Sequence, residues 1–235
     1  MKKILSIIMV LTLCFALFAG CGDETKPEAD VKPETEAKSE PEAKPEEAEE
    51  KGSVVSPLPE TVDVANLENC TVAASLEKGD AYVDDSGKMM MKVKVYTYDL
   101  YDMVDIASLK ENDVIIHRGE EVKVTEIERL ESGLIHINGG EENGGFDLIS
   151  NGDTVYYEIG MNDLKAYNEI GEAVLPVSTE FIYTDSSDIE AAAKEYYPGD
   201  FLTDNAGIEY DFHPNNTSIV IEDGVIIGME KVYNP

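Results

Sequence analysis

Basic residues and tryptophan are what this 235-residue sequence lacks most clearly. There is no tryptophan, and 18 lysines and arginines stand against 49 aspartates and glutamates, for a formal net charge of −31 at pH 7. A phosphate backbone would be repelled by this charge, which argues against nucleic acid as a partner and against docking of the folded part on an anionic lipid surface. Two interpretations of the charge stay open, attraction for cations or basic partners and solubility alone.

Cysteine is also scarce, and the three cysteines lie in different parts of the chain. Cys14 lies within an N-terminal apolar run, Cys21 follows the end of that run, and Cys70 stands alone in the body. If the leader is removed and Cys21 is modified, only Cys70 remains as a thiol, so no intramolecular disulfide can stabilise the fold. We expect a fold that depends on burial, with Cys70 as a small hydrophobic residue rather than a reactive one.

Residues 1–20 have the pattern of an export signal. Two lysines precede an apolar stretch, residues 4–18, which is too short to span a bilayer comfortably because a spanning helix needs about 20 apolar residues. The small residues that follow let a peptidase approach the backbone. The sequence therefore predicts export of the chain out of the cytoplasm.

The stretch FAGC, residues 18–21, resembles the lipobox of bacterial lipoproteins. The resemblance covers only the first 21 residues, and Phe18 stands where leucine is usual in that family. It implies cleavage before Cys21 and attachment of a diacylglycerol to its sulfur, and two acyl chains suffice for stable anchoring. The alternatives are an ordinary secretory signal with an incidental cysteine and a permanent membrane helix.

Residues 21–56 are predicted to be a disordered tether. Between residues 23 and 51 there are 12 acidic residues and 5 lysines, prolines recur, and apolar side chains are nearly absent. Such a segment cannot bury enough surface to offset its ordering entropy. Fully extended, about 30 residues at roughly 3.1 Å each would reach about 90 Å, enough to hold a domain away from a membrane.

Residues 57–235 have the patterns of strands and turns, so we predict one mainly β domain, a β-barrel or a β-sandwich with antiparallel hairpins. Residues 90–98 alternate between apolar and polar side chains, as a half-buried strand does. Asn151-Gly152 and Asp223-Gly224 each separate two strand-like runs, which predicts tight hairpins. Residues 109–128 have the strand, turn, strand cadence of small barrels such as SH3-like and OB folds.

One short α-helix is predicted near residues 187–197. Ser187 and Glu190 have the spacing of a capping box, apolar residues share one helical face, and Pro198 would end the helix. A further turn of helix is predicted within residues 102–113.

No catalytic motif is recognisable in the sequence. There is no G-x-S-x-G, no H-E-x-x-H and no phosphate-binding G-x-x-x-x-G-K. His117 and His136 lie on neighbouring predicted strands and could converge on a metal ion, but isolated strand histidines are more often surface or hydrogen-bonded residues. We assign no catalytic residue.

Acidic turns are the candidates for a calcium site, because calcium takes oxygen ligands. Three turns offer such oxygens, residues 82–88, 183–188 and 199–207, and in the last of them we select Asp200, Asp204 and Asn205. None of the three matches an EF-hand loop. Asp, Asn, Ser and Gly also occur in turns for purely backbone reasons, so a structural role is the alternative.

Tyrosine is the other candidate for recognition, with twelve in the chain. Tyr96, Tyr98 and Tyr101 form one group along the chain, and Tyr156 and Tyr157 form another. Exposed tyrosines present amphipathic rings to a sugar or a protein, whereas buried ones cover the edge of a core. Because adjacent strand residues point in opposite directions, only one of Tyr156 and Tyr157 need be exposed.

These features favour a lipid-anchored protein on the extracytoplasmic face of the cell membrane, whose β domain is a noncatalytic binding module for a protein or a glycan. One alternative is an extracytoplasmic hydrolase with a carboxylate active site. Another is a small solute-binding or calcium-binding lipoprotein. No cofactor other than calcium is suggested, and the membrane is contacted through the lipid anchor.

Overall fold

A computed structural model describes residues 52–59, 62–152 and 154–234 of the chain. The predicted signal, Cys21 and the predicted tether up to residue 51 lie outside the described residues. The described part belongs to one compact unit, and it is mainly β, as predicted. In these ranges no helix has both the length and the apolar composition needed to cross a membrane.

Within the described residues the chain forms fifteen strands and one α-helix. The first elements are β1 (Val54–Val55), β2 (Cys70–Ser75), β3 (Ala81–Val83), β4 (Met89–Thr97), β5 (Leu100–Asp102), α1 (Met103–Ser108), β6 (Val114–His117) and β7 (Glu120–Lys123). They are followed by β8 (Ile127–Arg129), β9 (Ile135–Ile137), β10 (Phe146–Asn151), β11 (Val155–Ile159), β12 (Asn168–Ser186), β13 (Lys194–Tyr196), β14 (Thr217–Glu222) and β15 (Val225–Val232). Short 3₁₀ helices cover Val64–Asn66, Glu141–Asn143, Met161–Asp163 and Pro198–Leu202.

Five of these strands close into a barrel. Strand β2 pairs with β4, β4 with the first half of β12, the second half of β12 with β15, β15 with β14, and β14 with β2 again. The β12–β15 pair is parallel and the other four are antiparallel. This is a five-stranded barrel of the Greek-key type to which OB folds belong. Strands β3 and β13 extend its sheet at the two edges.

The barrel core follows from the alternation in the sequence. In β4, Met89, Met91, Val93 and Val95 all point inward and are buried, while the residues between them are half-buried on the outer face. The predicted strand at 90–98 is thereby confirmed. Strand β12 pairs with β4 through its first half and with β15 through its second half. The register of these pairings shifts near Gly171 and between residues 177 and 182. Such irregularities bend a strand and allow it to pass from one partner to the next.

The chain between β4 and β12, together with β1, forms a second cluster of strands with its own hydrophobic core. Strands β5, β11, β10, β9 and β8 make one sheet, and β1, β6 and β7 make another. The core between them contains Tyr101, Ile106, Ile115, Ile137 and Leu148 among others. Residues 109–128, whose cadence is typical of small barrels, lie in this inserted part as separate hairpin strands and contribute nothing to the barrel itself.

The folded part begins before the predicted boundary at residue 57. Val54 and Val55, which the sequence placed in the tether, form β1 and pair in parallel with Val114 and Ile115. Val55 is buried in the second core, and Ser53 donates its backbone N–H to Asp113. A strand of only two valines is too short to show the alternation of apolar and polar residues that predicts a strand.

The prediction of a helix near residues 187–197 is wrong. This stretch forms turns and then β13, which pairs with β12 through Tyr196 and Tyr183. Ser187 donates its hydroxyl to Asp185 instead of capping a helix. The apolar face expected for that helix has no core to pack on, since Ile189 is 72% exposed, whereas the edge strand buries Tyr196 against Tyr183. The α-helix of the described residues is α1, within the weaker prediction at 102–113.

Both predicted hairpins are confirmed, with different turns. Asp223 and Gly224 form a two-residue turn between β14 and β15, both with positive φ. At Asn151-Gly152 the paired residues closest to the turn are Asn151 and Val155, so the loop is longer.

Cys70 begins β2 and packs, partly buried, against the barrel core. Burial raises the pKa of its thiol, which disfavours the reactive thiolate.

Candidate functional site

Three tyrosine rings surround one lysine at the end of the β4–β12 ladder. Tyr98 follows β4, Tyr167 precedes β12, Tyr157 comes from β11 of the inserted part, and Lys165 lies in the connection between β11 and β12. We call these four residues the tyrosine cluster. All four are half-buried, so each presents part of its surface to solvent. The cluster joins the barrel to the inserted part.

The tyrosine cluster has defined geometry. The Lys165 ammonium donates a hydrogen bond to the Tyr98 hydroxyl at 3.0 Å and lies 4.4 Å and 5.3 Å from the ring centroids of Tyr98 and Tyr157. Tyr98 meets Tyr157 edge to face at 5.8 Å and Tyr167 edge to face at 5.2 Å. Cation–π and edge-to-face contacts of this kind each contribute about 0.5–1.5 kcal/mol. The rings are therefore ordered before any ligand arrives.

The electrostatics keep the lysine charged. Partial burial acts to lower the pKa of Lys165, but the hydrogen bond to Tyr98 and attraction to the surrounding phenol oxygens outweigh burial, so the pKa of Lys165 is raised. Burial also raises the pKa of Tyr167, against the opposing effect of Lys165. The cluster therefore offers phenol hydroxyls, ring edges and one ammonium group.

The structure separates the three tyrosines that the sequence grouped. Tyr98 belongs to the tyrosine cluster, and Tyr96 lies on the same outer face of β4, where its hydroxyl is 3.0 Å from that of Ser75. Tyr101 is fully buried and donates a hydrogen bond to the carbonyl of Ile116, so its assignment to a binding face is wrong. Tyr101 lies on β5, and its side chain packs in the second hydrophobic core.

A second polar group, built around the buried Glu158, lies in the inserted part. Arg118 holds both carboxylate oxygens of Glu158, with Nη2 2.8 Å from Oε1 and Nε 3.1 Å from Oε2. Glu158 is buried, and the Nδ1 atom of His117 lies 3.7 Å from its Oε2, beyond hydrogen-bond distance. The His117 ring stacks on Phe146, with 4.0 Å between centroids and 1° between planes. The backbone N–H of Arg118 donates to Asp99.

Burial has the largest effect on the pKa values of Glu158 and His117. It raises the pKa of Glu158 even though Arg118 stabilises the carboxylate. It lowers the pKa of His117, and the Arg118 charge lowers it further. A carboxyl with a raised pKa beside an imidazole with a lowered pKa is a pattern found at catalytic sites and also in structural ion pairs. The bidentate contact to Arg118 is typical of the latter.

The two histidines proposed as metal ligands have separate roles. His136 on β9 contacts Asp147 on β10, with 2.6 Å between Nδ1 and Oδ1, while His117 stacks on Phe146. Among residues 52–59, 62–152 and 154–234, no group of three or more His, Cys, Asp and Glu side chains could hold a metal ion.

Two of the three predicted calcium ligands have protein partners. Asp200, the third residue of the last 3₁₀ helix, accepts the backbone N–H of Tyr197 at 2.7 Å. Asp204 pairs with Lys78 at 2.6 Å, both side chains being exposed, and Asn205 is an exposed turn residue beside it. These contacts are those of a structural turn, so calcium at Asp200, Asp204 and Asn205 stays a prediction without geometric support.

Lys165 and Tyr167 are the members of the tyrosine cluster that the sequence did not identify. They are separated from Tyr98 by almost seventy residues, so no local pattern links them. The only sequence signal is composition, since Lys165 stands alone among acidic residues between two tyrosine-containing stretches.

Comparison with known proteins does not assign this chain to a family. It matches no protein-family model, no curated protein and no solved structure.

Proposed function

We propose that this protein is a lipid-anchored lipoprotein on the extracytoplasmic face of the membrane, and that its β body is a noncatalytic binding module. The observation that carries the binding role is the tyrosine cluster, three preordered and partly exposed rings around a charged lysine. Rings held in this way contribute contact area at a low cost in conformational entropy.

The chemistry of the cluster favours a hydroxyl-rich ligand such as a glycan. Phenol hydroxyls and an ammonium group hydrogen-bond to sugar hydroxyls, and ring faces pack on the apolar faces of sugars. OB-type Greek-key barrels can bind oligosaccharides on the face of their second and third strands, which here are β4 and β12. The acidic surface disfavours a polyanionic ligand. A protein partner is the competing interpretation.

The binding role can be tested with the full chain in detergent, against wall polymers, purified glycans and envelope proteins. We expect saturable binding to a glycan, weakened about tenfold or more in Tyr157→Ala, because a hot-spot aromatic residue contributes about 2 kcal/mol or more and tenfold corresponds to about 1.4 kcal/mol. Tyr82→Ala is the matched control, since Tyr82 is 42% exposed on the barrel edge and outside the cluster.

Two results would contradict this role. One is the absence of binding to any of these ligands, and the other is an equal loss of affinity in Tyr157→Ala and Tyr82→Ala. Binding to a protein but to no glycan would reassign the ligand class and keep the cluster as the binding surface.

The anchor rests on the resemblance of residues 18–21 to a lipobox. Mass spectrometry of the protein from a host that processes lipoproteins should show a mature chain beginning at diacylated Cys21. Cys21→Ser should release the protein from the membrane fraction, because the thiol that accepts the lipid is gone. An intact leader, or an unmodified Cys21 in the mature chain, would contradict the anchor.

A hydrolase with a carboxylate active site is the second candidate, and the raised pKa of Glu158 is the observation in its favour. Under this hypothesis Glu158→Gln abolishes turnover of a polymer substrate while Glu128→Gln, on exposed β8, leaves it intact. If the unsubstituted protein turns over no substrate and Glu158→Gln only lowers stability, Glu158 is a structural ion-pair partner.

A further inference from the structure

A lysine is buried at one end of the barrel, where it contacts a carboxylate. Lys231 lies near the end of β15, on the same face as the core residue Met229, and its side chain is only 2% exposed. Its Nζ atom contacts Oδ1 of Asp211, in the segment between the last 3₁₀ helix and β14. The Asp211 side chain is 65% exposed, so it lies between the lysine and the solvent. Lysine is almost never buried without such a partner.

A second carboxylate lies opposite the same lysine on the neighbouring strand. Asp185 on β12 is the register partner of Lys231 in the parallel β12–β15 pair, so both side chains point to one face of the sheet. Burial raises the pKa of Asp185, but hydrogen bonds from Ser187 and the Lys231 charge outweigh burial, so the pKa is lowered. The ring of Phe212 lies 5.7 Å from the Lys231 Nζ atom. An amine, two carboxylates and an aromatic ring therefore meet at this end of the barrel.

Hydrogen bonds fix the backbone that carries Asp211 against the end of β15. The buried Asn216 side chain donates to the Asp211 carbonyl at 3.0 Å and accepts the backbone N–H of His213 at 3.0 Å. The Asn216 carbonyl accepts the backbone N–H of Val232, the residue after Lys231, at 2.8 Å. Groups held in reacting geometry reach effective concentrations of about 10⁵–10⁸ M. The amine and the carboxylate are held in this way.

We propose that Lys231 and Asp211 condense to an intramolecular amide, which cross-links β15 to the segment before β14. Nζ forms a bond to Cγ of Asp211, the bond between Cγ and one carboxylate oxygen breaks, and that oxygen leaves as water. Two protons of the ammonium group end on the departing oxygen and the third stays on the amide nitrogen. Asp185 accepts each transferred proton from nitrogen and passes it to oxygen. The ion pair contains every atom of the amide and the water, so no co-reactant is needed.

Burial of the lysine favours the amide over the ion pair. Separate ammonium and carboxylate ions are stable in water because both are hydrated, and a buried ammonium group has lost that hydration. A neutral amide removes the buried charge, and the exposed side of Asp211 lets the released water leave. The pair of Lys78 with Asp204 is the contrasting case, since its side chains are 63% and 81% exposed and both ions stay hydrated. The cross-link is independent of the tyrosine cluster and of the glycan role.

Mass spectrometry of the full chain, purified in detergent and denatured, tests the cross-link. We expect a mass lower by one water than that of the uncondensed chain. Digestion after glutamates separates residues 210–222 from residues 231–235 unless an amide joins them. We therefore expect these two peptides as one branched product, with the branch between Asp211 and Lys231.

Lys231→Arg is the matched variant, because arginine keeps the positive charge but its guanidinium stays protonated and is not a nucleophile. We expect Lys231→Arg and Asp211→Ala to lose both the mass difference and the branched product. Lys78→Arg, at the exposed pair, should keep them.

The proton-transfer role of Asp185 has its own pair of variants. Asp185→Asn should slow formation of the cross-link after synthesis by about a hundredfold or more, as expected for loss of a general acid–base group. Asp188→Asn, at an exposed turn position, should leave the rate unchanged. Equal rates in these two variants would contradict the role of Asp185.

The unsubstituted protein decides the proposal even if a variant does not fold. The proposal is overturned if its mass is that of the uncondensed chain and residues 210–222 and 231–235 are recovered as separate peptides. A branched product in Lys231→Arg, or a branch that joins other residues, would overturn it as well.

Discussion

Tyr101 and Tyr183 are both fully buried, yet their hydroxyls differ in what they contact. Tyr101 donates to the Ile116 carbonyl at 2.9 Å and lies 3.3 Å from the Asp99 carboxylate. The Tyr183 hydroxyl has no hydrogen bond among the described residues. A buried hydroxyl stabilises the fold only where it is paired. The hydroxyl of Tyr101 therefore stabilises the second core, whereas that of Tyr183 lowers the stability of the barrel core.

The two tyrosines give a paired prediction. Tyr101→Phe should lower the free energy of unfolding by about 1–2 kcal/mol, because it leaves acceptors unpaired, while Tyr183→Phe should be neutral or stabilising by up to about 1 kcal/mol. Urea unfolding measures both. An equal loss in the two variants would show that the Tyr183 hydroxyl is paired in solution.

His117 predicts a pH dependence of stability. Since burial lowers its pKa in the folded state, the unfolded chain binds more protons below about pH 6.5, and the free energy of unfolding should fall as the pH falls through that window. Glu158 acts with the opposite sign, because its raised pKa lets the folded state bind a proton first, so its contribution falls as pH rises above about 4.3.

Replacing the imidazole isolates the first of these effects. His117→Gln should flatten the slope of stability between its lowered pKa and about pH 6.5, in addition to a loss at every pH from the missing stack on Phe146. Urea unfolding across this pH range measures the slope, and His213→Gln at an exposed position is the control. An unchanged slope in His117→Gln would contradict a neutral buried imidazole.

At the scale of elements, the Asp223-Gly224 turn fixes the pairing of β14 with β15. Gly224 has φ of +71°, where a side chain costs about 1–2 kcal/mol. Gly224→Ala should therefore lower the unfolding free energy by about that amount. Gly199→Ala is the control, because Gly199 has ordinary φ and open space around it and should change stability by less than about 0.5 kcal/mol.

Elements with local signals were predictable from the sequence, and elements defined by distant partners were not. The alternation of residues 90–98 and the Asp223-Gly224 turn depend on neighbours in sequence, and both are confirmed. The stretch 187–197 has local helix signals, but Tyr196 gains more by stacking on Tyr183, which no local pattern reveals. Tertiary burial overrides propensity there.

The candidate site shows the same division. Tyr98 and Tyr157 were identifiable as aromatic residues on strands, but their convergence on Lys165 depends on β4, β11 and β12 meeting at one place. Tyr101 was misplaced because the face of a strand after a turn cannot be read from spacing alone.

At the scale of the whole molecule, the excess of acidic residues acts against compactness. Several basic side chains are already paired at the surface, such as Lys78 with Asp204 and Lys92 with Glu172, and exposed pairs of this kind contribute little. Self-repulsion among the remaining carboxylates should therefore dominate the response to salt.

Adding sodium chloride at pH 7 should raise the free energy of unfolding, most steeply below physiological ionic strength, where the screening length exceeds about 8 Å. Urea is the appropriate denaturant because it carries no charge. A fall in stability with added salt would show that attractive ion pairs outweigh the repulsion implied by a net charge of −31.

The long strand β12 has one more consequence, for the order in which the chain can assemble. Its first half completes a ladder with β4, which precedes it by some seventy residues, whereas its second half waits for β15 at the far end of the chain. A ribosome or export channel delivers these partners one after the other. One edge of that ribbon must therefore stay unpaired until β15 has been made, a period in which a chaperone or a second nascent chain has access to it.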